Sequence, residues 1–256
     1  MRHSRRASSS QPQMVGNISK YREVTTPVTA NSSATPRVQV NHLATAQLTI
    51  LLLPLLLRTA SMGITPRLVF VSTGAHHSSP PLRPPTSDQG ILDWLNDKST
   101  SMQARYPASK LLNLFFAREL ASRFPEGGPL VINAVNPGFC FSALRRDVPL
   151  PYHIVFRIME TFLAWSTERG SRQLIFAALG NQDKPDVMKG AYISSSEIVE
   201  PSDYVISDEG VKVQKQLWVR LSRRVLVSCR SDNSTARDTN RLVQGFPKRP
   251  GHPWFQ

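Results

Sequence analysis

Arg67-Leu-Val-Phe-Val-Ser-Thr73 and Leu130-Val-Ile-Asn-Ala-Val-Asn-Pro-Gly138 are the two stretches that decide the fold. Each begins as a short apolar run rich in β-branched residues and ends in turn-forming residues, which predicts two buried strands. A helical pattern covers residues 106–124 between them. Strand, helix and strand in this order predict a parallel sheet with a crossover helix.

The pattern continues on both sides of this unit. Residues 38–57 are predicted to be helical, and the apolar run 48–57, with Pro54 inside it, is interpreted as a buried, kinked helix because it is shorter than the roughly twenty residues of a membrane span. We predict a mostly helical stretch over 152–179, a third strand at 191–194 and a last helix over 207–222.

The basic charge lies mainly outside the patterned region. Residues 1–37 hold six Lys or Arg against one acid, and residues 220–256 hold eight against two, whereas residues 38–219 hold 17 basic and 15 acidic residues. The basic ends are rich in Ser, Thr, Asn and Pro, a composition typical of disordered segments. We therefore expect solvated tails and no nucleic-acid binding, although a nucleic-acid or anionic-membrane contact through the tails stays an alternative.

Three regions follow from these patterns: a disordered leader over 1–36, a folded region over 37–226 and a disordered basic tail over 227–256. The chain has two cysteines, Cys140 and Cys229, so no disulfide framework is expected and a reducing, cytoplasmic location is predicted. His76 and His77 are adjacent, but no Cys, Asp or Glu stands at ligand spacing, so we expect no metal site.

Tyr106 and Lys110 carry the clearest chemical signal. They are four residues apart, so on a helix they share one face. A tyrosine with its usual pKa of about 10 is a poor acid or base at neutral pH, and a nearby ammonium favours the charged phenolate and lowers that pKa. Tyr106 is therefore a candidate for passing a proton to or from a carbonyl or alcohol oxygen.

Four motifs stand in a fixed order along the chain: Val40-Asn-His-Leu43, Arg67-Leu-Val-Phe-Val-Ser-Thr73, Tyr106-Pro-Ala-Ser-Lys110 and Asn136-Pro-Gly138. As a set they resemble the signatures of short-chain dehydrogenases, and more closely the retinol-dehydrogenase-like branch found in many fungi. The resemblance covers about residues 37–226. It implies an α/β fold with a partial Rossmann-like, doubly wound parallel sheet that lacks the first strands.

The resemblance also implies a role for each matching residue. Tyr106 would be the catalytic acid and base, and Lys110 would bind the nicotinamide ribose and lower the pKa of the tyrosine. Asn41 would hold a water in the proton relay. The hydrogen-bond donor to the substrate oxygen falls on Thr73 or on Ser72, with Thr73 favoured. The residues that would line the nicotinamide pocket are Pro137, Gly138 and Ser142.

One part of the family pattern is missing. A dehydrogenase of this group opens with a strand, a Gly-rich turn and a helix that receives the pyrophosphate, but the only glycine before Asn41 is Gly16. Val69 and Val71 are therefore expected on or near an open sheet edge. A gene model that starts too late, a fragment without its own activity and a chain completed by a partner all remain explanations.

The sequence thus predicts an oxidoreductase that interconverts a carbonyl and an alcohol on a small apolar metabolite, plausible in fungal secondary metabolism. Its cofactor would be NADP, with NAD left open, and its partners a small-molecule substrate and another copy of itself in a homo-oligomer. The alternatives are a non-catalytic interaction protein on a dehydrogenase scaffold and an inactive fragment.

Overall fold

The structure, a computed structural model, describes residues 38–82, 90–96, 102–124, 128–141 and 150–228. The leader 1–36, nearly all of the tail 227–256 and Ser142 lie outside these ranges. The strands are β1 Arg67–Val71, β2 Val131–Asn136, β3 Tyr192–Ser194 and β4 Glu197–Val199. The α-helices are α1 Ala44–Ala60, α2 Ile91–Asn96, α3 Met102–Ser122, α4 Leu150–Leu163, α5 Thr167–Leu179, α6 Asp203–Ile206 and α7 Asp208–Ser228. A π-helical turn, Gln39–Leu43, precedes α1, and 3-10 turns cover Gly74–Ser78 and Pro185–Met188.

The four described strands form one sheet in the order β1-β2-β3-β4. β1, β2 and β3 run parallel, with Arg67 opposite Val131 and Ala134 opposite Tyr192. β4 pairs antiparallel with β3 through a tight hairpin. The predicted parallel sheet with crossover helices, a partial Rossmann-like arrangement, is confirmed.

Helices cover both faces of this sheet because β2 is apolar on both sides. Its side chains alternate, so Ile132 and Ala134 join the larger core cluster while Val131 and Val135 join a smaller one. The larger cluster is centred on α3, where Phe115 and neighbouring leucines are fully buried. The smaller cluster takes Ala177 from α5. The central strand and α3 therefore form a rigid support for the residues at their ends.

The prediction of a buried helix over 48–57 is wrong for half of its surface. Ile50 and Leu53 are buried in the core, but Leu48 is 58% exposed and Leu55 41% exposed. The continuous helix, Gln39–Ala60, is 22 residues long and apolar enough to cross a bilayer by length and composition. A core helix with one exposed face passes the same test. A nearly continuous apolar run does not indicate which helix face is buried, because few of its positions are polar.

One helix begins earlier than predicted, and the stretch predicted to be mostly helical is helical with one break. The helix predicted from Tyr106 begins at Met102, so Tyr106 lies in its second turn. The stretch 152–179 is two helices, because Trp165 pairs with Cys140 in an isolated parallel bridge. Ser166 then caps α5, its hydroxyl oxygen accepting the Arg169 N–H at 3.1 Å.

The expected open edge is present in the described part of the sheet. β1 has a strand neighbour on one side only, β2. Val71 is 42% exposed, and Val69 is half-buried against the smaller core cluster. The expectation is therefore confirmed at Val71 and in part at Val69.

Candidate active site

The candidate residues converge at the edge of the sheet where β1 and β2 end. Parallel neighbouring strands bring their carboxyl ends to the same edge, which is where ligands bind in open α/β sheets. The Ser72 N–H donates to the Val135 carbonyl at 2.8 Å, which ties the two strand ends together. α3 crosses the same edge and presents Tyr106 and Lys110 there.

Lys110 is fixed against the end of β1. Its Nζ donates to the Val71 carbonyl at 3.2 Å and lies 6.0 Å from the centre of the Tyr106 ring. Burial lowers the pKa of the Lys110 ammonium because desolvation disfavours its charge. Lys110 thus places an ammonium group one helical turn from Tyr106.

Ser72 and Thr73 differ in what their hydroxyls do. Ser72 is 2% exposed, and its hydroxyl donates to the Lys110 carbonyl at 3.1 Å. The Thr73 side chain is half-buried, and its oxygen accepts the Ala75 N–H at 3.3 Å, so its own proton is not used in that bond. Ser72 therefore connects α3 to the end of β1, whereas the Thr73 hydroxyl proton is not used in the bond to Ala75.

Asn41 lies on the π-helical turn and faces α3. Its Nδ2 donates to the Ser109 hydroxyl at 3.1 Å, and that hydroxyl donates to the Tyr106 carbonyl at 2.8 Å. Ser109 is fully buried between them. The structure therefore links Asn41 to the turn of α3 that holds Tyr106.

Pro137 and Gly138 form a turn at the end of β2 that requires its glycine. Gly138 has φ +84°, and a Cβ there would lie 2.8 Å from Cε3 of Trp165. Asn136 stabilises the turn, because its Oδ1 accepts the Gly138 N–H at 3.0 Å and its Nδ2 donates to the Ser194 hydroxyl at 3.2 Å. The result is a tight turn beside the strand ends, covered by the Trp165 ring.

His76 has a structural role. Its Nδ1 lies 2.7 Å from the Thr73 carbonyl, and its Nε2 accepts the Ser202 N–H at 3.2 Å. The ring thereby joins the loop after β1 to the segment before α6. Burial lowers the pKa of His76, which keeps the ring neutral in this place.

Sequence reasoning missed four residues of this edge: Ser109, Asn113, Asn136 and His42. Ser109 lies inside the Tyr106–Lys110 motif and Asn136 directly before Pro137, but the sequence predicted no role for either residue. Asn113 continues the helical stripe of Tyr106 and Lys110 at the next turn, a spacing that could have singled it out. The partners of Ser109, Asn113 and His42 lie about seventy residues away, which local patterns do not show.

The donors at this edge fit the nicotinamide-ribose end of a dinucleotide cofactor. A ribose diol needs hydrogen-bond partners close together, and the Lys110 ammonium and the Tyr106 hydroxyl group supply them from one helix face. Gly138 lets the Trp165 ring approach the backbone of the neighbouring turn closely. A G-x-G-x-x-G sequence for the pyrophosphate does not occur in the chain.

The chain is similar in sequence to several curated fungal proteins. No family model matches the chain. The short chain dehydrogenase/reductase dmxR8 of Cryptosporiopsis sp. (strain 8999) is 35% identical over 194 residues, which is 73% of this chain and 57% of that protein. The short chain dehydrogenase sol3 of Alternaria solani is 39% identical over 63% of this chain and 53% of its own length.

A third relative agrees with these two. The short-chain dehydrogenase anuD of Penicillium roqueforti (strain FM164) is 34% identical over 71% of this chain and 49% of its own length. All three carry the same family description and come from fungi. The chain spans about half the length of the curated relatives it matches.

Proposed function

Because the chain belongs to the short-chain dehydrogenase/reductase family, we propose that it is an NAD(P)-dependent oxidoreductase that interconverts a carbonyl and an alcohol on a small apolar metabolite. One observation carries the proposal. Tyr106 and Lys110 lie one helical turn apart at the carboxyl edge of a parallel sheet, with Lys110 Nζ bound to the last carbonyl of β1. The fungal origin of the relatives supports a role in secondary metabolism.

The residues divide the work of the reaction. When bound, the reduced nicotinamide supplies a hydride to the carbonyl carbon. The Tyr106 hydroxyl group donates its proton to the carbonyl oxygen. The product is a neutral alcohol, and Tyr106 is left as a phenolate. The Lys110 ammonium stabilises that phenolate, and the Thr73 hydroxyl donates a hydrogen bond to the oxygen while negative charge develops on it.

Small apolar substrates suit the surroundings of this edge. α4 follows the β2 turn and exposes a stripe of apolar side chains along its described part, comprising Ile154, Val155, Ile158, Met159, Phe162 and Leu163. Trp165, two residues beyond the end of α4, packs over Gly138. The stripe and the Trp165 ring are exposed and partly exposed apolar groups that follow β2 in the chain, which favours an apolar substrate.

The division between Thr73 and Ser72 gives a test with a matched pair. Thr73→Ala is expected to lower kcat/KM about 10- to 100-fold, because one hydrogen bond to the developing charge is lost. Ser72→Ala should lower the free energy of unfolding by about 1 kcal/mol, since it removes a buried bond to the α3 backbone, and should keep most of the activity. NADPH oxidation with a panel of apolar aldehydes and ketones, with detection of the alcohol, measures the first effect. Urea unfolding measures the second.

The outcomes separate the two levels of the proposal. NADPH-dependent alcohol formation by the unmodified chain supports the reaction itself, and its absence with every carbonyl contradicts that reaction. If Ser72→Ala loses more activity than Thr73→Ala, the roles of the two hydroxyls are reversed.

A further inference from the structure

The π-helical turn Gln39–Leu43 holds Asn41 in an uncommon backbone. The Ala44 N–H donates to the Gln39 carbonyl, five residues back, where an α-helix would reach four. Such turns are rare and occur frequently at functional sites. The carbonyl of Asn41 accepts bonds from side chains, at 2.9 Å from Nδ2 of Asn113 and at 3.2 Å from the Thr45 hydroxyl. The bond from Asn113 comes from a helix about seventy residues away.

Asn113 is itself held in one orientation. Since its Nδ2 donates to Asn41, its Oδ1 is the atom that lies 2.9 Å from Nδ1 of His42 and must accept there. His42 is 1% exposed, and burial lowers its pKa to about 4, so the ring is neutral at neutral pH. The network assigns the ring proton to Nδ1. Asn113 therefore accepts a hydrogen bond from His42 and donates one to Asn41.

The same face of α3 carries the proton-transfer residues. Tyr106, Ser109, Lys110 and Asn113 follow the spacing of one helical stripe. The Ser109 hydroxyl accepts a hydrogen bond from the side chain of Asn41, and the Asn113 side chain donates one to the backbone carbonyl of Asn41. α3 thus holds Asn41 at two points, one on each side of Lys110.

We propose that Asn113, oriented by His42, is a positioning residue that fixes the Asn41 turn against the Tyr106–Lys110 pair. The inference rests on the proposed reaction and extends it to a residue that touches neither substrate nor cofactor. Loss of the Asn113 bond leaves the carbonyl of Asn41 with the local Thr45 hydroxyl as its side-chain partner and lets the turn relax. The Asn41 amide then leaves Ser109, and the first turns of α3 lose their lateral support.

Asn133 supplies a matched control. It is as buried as Asn113, and its Nδ2 also donates to a backbone carbonyl at 2.9 Å, that of Ala177. It lies in β2 and bonds to α5, away from the Asn41 turn. A buried-amide loss that acts only through stability affects both positions alike.

The kinetic test compares Asn113→Ala with Asn133→Ala in the full chain, using the NADPH-dependent carbonyl assay. Asn113→Ala is expected to lower kcat about tenfold with KM changed less than about twofold, because misplaced catalytic groups cost rate more than binding. Asn133→Ala should keep kcat within about twofold. Equal losses in the two variants, or an unchanged kcat in Asn113→Ala, overturn the proposal. Should Asn113→Ala not fold, Asn113→Asp keeps the size and the His42 bond, lacks the N–H for Asn41, and is expected to give the same loss.

A second readout does not depend on turnover. Hydrogen exchange of the Asn41 side-chain amide is followed by NMR on the ¹⁵N-labelled full chain, with the signal assigned by its loss in Asn41→Ala. Exchange is expected to rise at least about tenfold in Asn113→Ala and to stay unchanged in Asn133→Ala. Unchanged exchange in Asn113→Ala overturns the positioning role. If the unmodified chain shows no turnover, the proposed function fails, and this readout alone decides whether Asn113 holds the turn.

Discussion

Tyr106→Phe is expected to lower kcat for carbonyl reduction by about 10²- to 10⁴-fold while the protein stays folded. The substitution removes only the hydroxyl group that donates the proton to the substrate oxygen. The ring remains over Lys110, and the half-buried side chain keeps its volume. Steady-state NADPH oxidation with the best carbonyl of the panel measures the effect.

Tyr204→Phe is the matched control for this change. Tyr204 is also half-buried, and its hydroxyl accepts the Leu82 N–H at 3.1 Å, far from the proton-transfer pair in the chain. Removing the Tyr204 hydroxyl group should leave kcat nearly unchanged and lower the free energy of unfolding slightly. A Tyr106→Phe variant that keeps a third or more of the activity would remove Tyr106 from the mechanism.

The second large effect is an acid-induced loss of stability at His42. Burial lowers the pKa of His42 from its ordinary 6.5 to about 4 in the folded protein. Between these two values the unfolded chain binds a proton that the folded chain does not, so stability is full above pH 6.5 and falls as the pH drops towards 4. One pKa unit corresponds to about 1.4 kcal/mol, which makes the loss about 3 kcal/mol.

His42→Gln removes this proton-linked loss. Urea unfolding of both proteins is measured at several pH values between 7 and 4. As the pH falls, the free energy of unfolding should decrease less in His42→Gln than in the unmodified protein. His77→Gln, at an exposed position, serves as the control and should change the pH dependence far less than His42→Gln, since its charge acts only on the pKa of the neighbouring His76. Parallel curves for His42→Gln and the unmodified protein would mean that His42 is solvated or already charged when folded.

Much of the fold follows from local sequence pattern. β1 begins and ends where its β-rich run predicts, and β2 agrees to within a residue, because apolar runs bounded by turn residues are local signals. β4 was not predicted. Its three residues are joined to β3 by Ser195 and Ser196, both with positive φ, and this turn lacks the glycine or asparagine that marks such hairpins in a sequence.

The candidate site divides in the same way. Tyr106 and Lys110 are visible because their spacing is local, and Gly138 because glycine after proline marks a turn. The roles of Asn113 and His42 cannot be seen in the sequence. The bond from Asn113 to Asn41 joins residues 72 apart, and the bond between His42 and Asn113 joins residues 71 apart. The choice between Ser72 and Thr73 likewise needs the α3 backbone, to which Ser72 is bound.

The most direct test of the proposed activity is titration of the purified full chain with NADPH and with NADH, followed by nicotinamide fluorescence. We expect saturable binding of at least one of them, with a Kd on the order of micromolar. Lys110→Met should weaken that binding about tenfold, whereas Lys189→Met, whose ammonium also donates to a backbone carbonyl, should not. No saturable binding of either nucleotide would contradict the account, since the proton-transfer residues would then have no hydride donor.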